Sequence, residues 1–129
     1  MTEIAIKKER PKHLDLRVIK LPLPGFASIL HRISGAGLFL MLPLLIWLFQ
    51  LSVESPQSFG TFKAIVGHPL AKLVLIGLIW AFLHHFCMGI RILLLDMNMG
   101  TDLKPARTST KAVMAVSLAL TVILGVKLW

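Results

Sequence analysis

Two adjacent histidines, with an arginine six residues later, stand in Trp80-Ala-Phe-Leu-His84-His85-Phe-Cys-Met-Gly89-Ile-Arg91-Ile-Leu-Leu-Leu-Asp96, a stretch otherwise apolar enough to lie in a bilayer. Ionisable residues at that depth are costly and mark functional sites. Imidazole is a common axial ligand of haem iron, so a membrane haem is the first chemistry this pattern suggests. Neighbouring helical residues are about 100° apart, which aims the two rings in different directions. A single helix cannot straddle one haem, so only one of the pair can bind a given iron. His31 lies near the boundary of the first apolar run and His68 on the opposite side of the membrane, which makes both poor second ligands. The sequence therefore implies either no haem or a haem shared with a partner chain.

A second constellation, Ser28-Ile-Leu-His31-Arg32-Ile-Ser-Gly35, opens the first span. Ser28, His31 and Arg32 fall at helical spacings of three and four and can share a face. A hydroxyl beside a guanidinium can hold a quinone carbonyl or a haem propionate. Arg32 can equally anchor the helix by snorkelling to lipid headgroups. Gly89, four residues after His85, leaves room for a flat macrocycle or for a neighbouring helix. His85 is thus an iron ligand or a histidine hydrogen-bonded between helices. It precedes Asp96 by eleven residues, or about 16 Å of helix. A haem at that depth could turn its propionates towards His31, Arg32 and Arg91. Arg91 and Asp96 are too poorly spaced to pair on one helix, so Arg91 is expected to reach another anionic group. Cys87 reads as a small buried apolar residue. As the lone cysteine it excludes an internal disulfide, and the absence of Cys-x-x-Cys-His argues against covalently attached haem. No paired carboxylates, zinc spacing or nucleophile–base set is present.

The elements that must carry these residues are set by composition. The chain has 129 residues, 56% of them hydrophobic, and a mean hydropathy of +0.79. Three apolar runs, Ile33–Leu51, Leu70–Leu95 and Ala112–Trp129, each approach the roughly 20 residues that cross a bilayer. An all-α membrane protein with three transmembrane helices is expected, at about 28–51, 70–96 and 111–129, forming a single membrane-anchor domain. Ser28 is the expected cap of the first helix. A short helix near Phe59–Val66 and a restart at His68-Pro69 are expected in the first loop, and an irregular second loop at Asn98–Thr110. The third span offers only packing, through Ala115, Ala119 and Gly125, with Lys127 and Trp129 as interfacial anchors.

Residues 1–27 are basic and proline-punctuated, without the early apolar core of a secretory signal; Glu3, Glu9 and Asp15 argue against a transit peptide. The segment His13–Pro22 alternates apolar and polar residues, as if to lie on the membrane surface or a soluble partner. The net charge of +8 is concentrated before the first span and in the second loop. The positive-inside rule places the N-terminus in the cytoplasm and the C-terminus outside. Because the basic residues flank spans, they face membrane lipid rather than nucleic acid.

Taken together, these residues resemble the larger cytochrome b membrane anchor of succinate dehydrogenase, respiratory complex II. The resemblance rests on Arg10-Pro11 with His13-Leu14-Asp15-Leu16, on Ser28-Ile-Leu-His31-Arg32-Ile-Ser34-Gly35, and on His85-Phe-Cys-Met-Gly89-Ile90-Arg91-x4-Asp96. It implies that His85 is the axial ligand of haem b, that Ser28 and Arg32 bind quinone, and that His31 and Arg32 lie near the haem propionates. It further implies a second small membrane subunit supplying the other ligand, an iron–sulfur subunit, a flavoprotein subunit, ubiquinone or menaquinone as substrate, and the bacterial inner membrane as location. Many relatives continue Gly-Ile-Arg with His, where this chain has Ile92. The alternatives are the anchor of a fumarate reductase, which runs the chemistry in reverse, and a non-redox scaffold or transporter subunit.

Overall fold

A computed structural model describes Asp15, Arg17 and residues 19–129. The expectations for the basic residues up to Lys12, and for His13, Leu14, Leu16 and Val18 of the alternating segment, lie outside the described residues. Four helices follow in order: α1 (Leu23–Val53), α2 (Pro56–Gly67), α3 (Pro69–Asp96) and α4 (Leu103–Leu128), with no strand among the described residues. α1, α3 and α4 are each long and apolar enough to cross a membrane. Hence the all-α, three-span architecture expected from the hydropathy pattern is the one observed.

Local sequence explains where each helix begins. α1 starts earlier than the cap expected at Ser28, because Pro22 is its N-cap and Pro24 falls in its first turn. Proline costs nothing there: its missing N–H is one that the first turn leaves unpaired anyway. Ser28 therefore sits inside the helix. α2 is nucleated by a reciprocal cap, with Ser58 N donating to Ser55 Oγ at 3.1 Å and Ser55 N donating to Ser58 Oγ at 3.0 Å. His68 then ends α2 and caps α3, its Nδ1 accepting from Leu70 N at 3.2 Å. After Asp96 the chain reverses through Asn98 and Gly100, both at positive φ (58° and 74°), conformations that Asn and Gly adopt at least cost.

α4 also begins earlier than expected, at Leu103 rather than 111. Its first two turns are polar and contain Pro105, which disguises them as loop. Pro105 is tolerated because it sits within the first turn.

The spanning helices run up, down and up. Arg91 meets Ser109, Ile76 meets Gly125, and Lys72 Nζ donates to the main-chain oxygen of Trp129 at 3.0 Å. These pairings fix α3 and α4 as antiparallel. His85 against His31 and Gly35 at one end, with Leu70–Leu78 near Leu44 and Leu48 at the other, fixes α1 and α3 likewise. Lys72 Nζ also lies 5.3 Å from the Trp129 ring centroid, which ties the far end of the bundle together.

Burial is inverted relative to a water-soluble domain. The buried side chains include Ser34, His84, Arg91, Thr110, Ser117 and Thr121, whereas large apolar residues such as Phe39, Leu40, Phe49, Leu93 and Val126 are exposed. Lipid supplies the apolar surroundings, so helices associate through small and hydroxylated residues that let backbones approach. The hydroxyls satisfy themselves within α4, as when Thr121 Oγ1 donates to the Ser117 carbonyl at 2.7 Å. The packed stripe of α4 is Thr110, Val113, Ser117, Thr121 and Gly125. Gly125 packs as expected, but Ala115 and Ala119 are exposed, because a stripe at spacings of three and four leaves them on the opposite face. Cys87 and Ile92 pack against the buried cluster of Ala27, Met88 and Val113. Ile92, where many relatives carry histidine, is thus a packing residue.

Candidate functional site

α1 and α3 each carry the same local pattern, a histidine followed four residues later by a glycine: His31–Gly35 and His85–Gly89. Because the helices are antiparallel, each histidine is brought over the other helix's glycine. A Cβ built on Gly35 would lie 2.7 Å from Cε1 of His85, and one built on Gly89 would lie 4.0 Å from Nε2 of His31. The two imidazoles stack, with ring centroids 4.1 Å apart and planes inclined by 12°.

His85 is held by its Nδ1 edge. Nδ1 lies 3.0 Å from the main-chain carbonyl of His31 and 3.3 Å from Ser34 Oγ. A carbonyl can only accept, so Nδ1 carries the proton and donates. Nε2 then bears the lone pair, and no hydrogen bond engages it among the described residues. Fixing one ring nitrogen with a backbone carbonyl while the other stays available is how proteins prepare histidine to bind a metal. The residues therefore fit an iron ligand at His85. The stacked pair is not itself a two-ligand set. Axial imidazoles approach iron edge-on from opposite sides, and face-to-face rings cannot. Among the described residues no group of three or more metal-ligating side chains occurs.

His84 does the opposite. It is fully buried, stacks on Trp80 with centroids 5.4 Å apart, and among the described residues neither of its nitrogens, nor Trp80 Nε1, makes a hydrogen bond of good geometry. The adjacent histidines thus face different surroundings, as the 100° helical rotation requires.

Arg91 is held against α4: its Nε donates to Ser109 Oγ at 2.9 Å and its Nη2 to the Ala106 carbonyl at 3.2 Å. The early start of α4 brings these polar turns against the end of α3. Ala106 O also accepts from Ser109 Oγ at 3.2 Å and Thr110 Oγ1 at 2.7 Å, making it the hub of the α3–α4 contact. Hydrogen bonds from a charged donor contribute about 1.5–3 kcal/mol each. Arg91→Met removes both and is accordingly expected to lower the thermal unfolding midpoint of the assembled membrane complex, with a loss of about 3 kcal/mol or more of stability, while any haem content measured at low temperature stays unchanged. A loss of haem without loss of thermal stability would contradict this role.

Ser28 is half-buried and Arg32 exposed, four residues apart on α1. Arg32 projects from the bundle next to the residue whose ring stacks on His85. Ser28, His31, Arg32 and His85 thus gather at one end of the α1–α3 pair. Sequence reasoning placed them there, but it did not pair His31 with His85, nor did it recognise Gly35. The repeated His-x3-Gly spacing was the available signal.

The described residues thus form an antiparallel unit of apolar helices long enough to cross a membrane, with an imidazole held at one nitrogen and an exposed arginine near the same helix ends. Residues 6–124 match the family model described as succinate dehydrogenase/fumarate reductase transmembrane subunit, and the chain belongs to that family. Among similar proteins is the succinate dehydrogenase cytochrome b556 subunit of Paracoccus denitrificans, 33% identical with 88% of each chain covered. The protein of the same name from Coxiella burnetii is 34% identical over 94% of this chain and 98% of its own. That from Rickettsia felis is 30% identical over 97% and 98%.

Proposed function

We propose that this chain is the cytochrome b membrane-anchor subunit of a succinate:quinone oxidoreductase, a single membrane domain of the bacterial inner membrane with its N-terminus in the cytoplasm. The observation that carries the reading is His85, with Nδ1 tied to the His31 carbonyl and Nε2 unengaged, in a family whose members are named cytochrome b556 subunits. His85 would hold haem b, with the other ligand supplied by a second membrane subunit. When bound, the haem supplies a one-electron relay within the membrane.

Succinate oxidation in a flavoprotein subunit releases two electrons and two protons as fumarate forms. An iron–sulfur subunit passes the electrons on, and quinone takes up two electrons and two protons to become quinol. In this scheme Arg32 donates to a quinone carbonyl and offsets the negative charge that builds on it during reduction. Ser28, one turn earlier on the same face, donates a second hydrogen bond that fixes the ring. His31 and Arg32 supply donors towards the propionates, and basic residues 7–20 favour docking of the soluble subunits. Quinone type, ubiquinone or menaquinone, depends on features beyond this site. The relatives' names favour succinate oxidation over the fumarate reductase reading that the family model also covers.

The test is isolation of the complex through a tag on this chain. It is expected to carry a second membrane subunit, the flavoprotein and the iron–sulfur protein, to show a reduced haem b spectrum, and to reduce quinone with succinate. A colourless assembly without succinate-dependent activity would overturn the reading.

A further inference from the structure

We propose that the α1 turn His31–Gly35 is the positioning element for His85, setting both the rotation of its ring and the basicity of Nε2. This rests on the reading of His85 as a haem ligand and deepens it. Two observations carry it. First, the ring edge of His85 occupies the space of a missing side chain: a Cβ at Gly35 would stand 2.7 Å from Cε1 and 3.2 Å from Nδ1, so any other residue forces the imidazole to turn or withdraw. Secondly, Nδ1–H is shared between the His31 carbonyl at 3.0 Å and Ser34 Oγ at 3.3 Å, while the Ser34 hydroxyl itself donates to that same carbonyl at 2.9 Å.

The carbonyl therefore serves two side-chain donors in addition to the helical N–H of Gly35. Removing the Ser34 hydroxyl leaves His85 as its only side-chain donor, strengthens the Nδ1–H bond to it and makes Nε2 a better electron donor. A stronger donor on the iron favours its oxidised form and lowers the reduction potential. Another glycine of α1 provides a matched comparison. A Cβ built on Gly37 meets nothing within 4 Å, so the same added methyl displaces nothing there.

The experiment uses the complex purified with this chain, and measures haem content, the ferric haem electron paramagnetic resonance spectrum and the haem midpoint potential. Gly35→Ala is expected to shift the low-spin resonance and the potential and to lower haem occupancy severalfold, whereas Gly37→Ala leaves all three at wild-type values. Ser34→Ala, which adds no bulk, is expected to keep its haem and move the potential to more negative values. Wild-type spectra and potentials in both Gly35→Ala and Ser34→Ala would overturn the proposal, as would equal effects at Gly35 and Gly37. Should Gly35→Ala fail to assemble, Ser34→Ala decides alone: an unshifted potential overturns it. His85→Ala separates this from the underlying reading. If that variant keeps its haem, the ligand assignment falls; if it loses haem while the α1 variants are silent, only the positioning role falls.

Discussion

His85→Ala is expected to strip haem b from the complex. Second-shell partners of a ligating histidine alone cost about 10–100-fold in metal affinity, and loss of the ligand itself costs at least as much. The partner ligand would remain, so any residual haem should shift in spectrum. His84→Phe is the control that the adjacent-histidine pattern demands. His84 is buried with neither nitrogen in a hydrogen bond of good geometry among the described residues, and replacing an unsatisfied polar group by an apolar one of similar shape is neutral or stabilising. The phenylalanine variant should therefore keep full haem and unchanged or higher thermal stability. Reduced-minus-oxidised spectra per assembled complex provide the check. Full haem in His85→Ala, or loss of haem in His84→Phe, would reverse the assignment.

Arg32→Leu is expected to reduce succinate-dependent quinone reduction by roughly a hundredfold, the scale of losing a donor that meets developing negative charge. Ser28→Ala should cost about tenfold, consistent with one neutral hydrogen bond worth about 1 kcal/mol or slightly more. Succinate oxidation with an artificial acceptor, which bypasses the membrane site, should be unchanged in both. Arg32 is exposed and Ser28 only half-buried, so truncating either side chain opens no cavity in the buried core. A parallel fall in both assays would point to failed assembly and remove the two residues from the quinone site.

How much of this was legible beforehand varies with the kind of signal. Apolar run length located all three spans, and Pro69 and Asp96 bounded α3 almost to the residue. The starts of α1 and α4 were missed for one physical reason: both begin in segments whose prolines read as breakers but sit in first turns, where proline is at home. The hidden start of α4 also conceals the Ser109 and Ala106 contacts of Arg91, because they lie in polar turns that read as loop. His85 was distinguishable from His84 through its spacing to Gly89. The stacking of His31 on His85 was not, since it depends on which residues antiparallel helices bring level, and no spacing on one helix reports that.

Helix length has a consequence for the supply of protons. α1, at 31 residues, and α3, at 28, extend for roughly 45 and 40 Å, well beyond about 30 Å of hydrocarbon. On the proposed reading, in which cations settle at headgroup depth, the surplus turns that carry Ser28, Arg32 and Arg91, continued by Lys104 and Arg107 of α4, would form a pedestal above the oily layer. A quinone head seated against that pedestal would stand within reach of bulk water while its tail stays dissolved below. On the proposed reading, the two protons of each turnover need no wire through this chain, and its want of buried carboxylates among the described residues is no handicap.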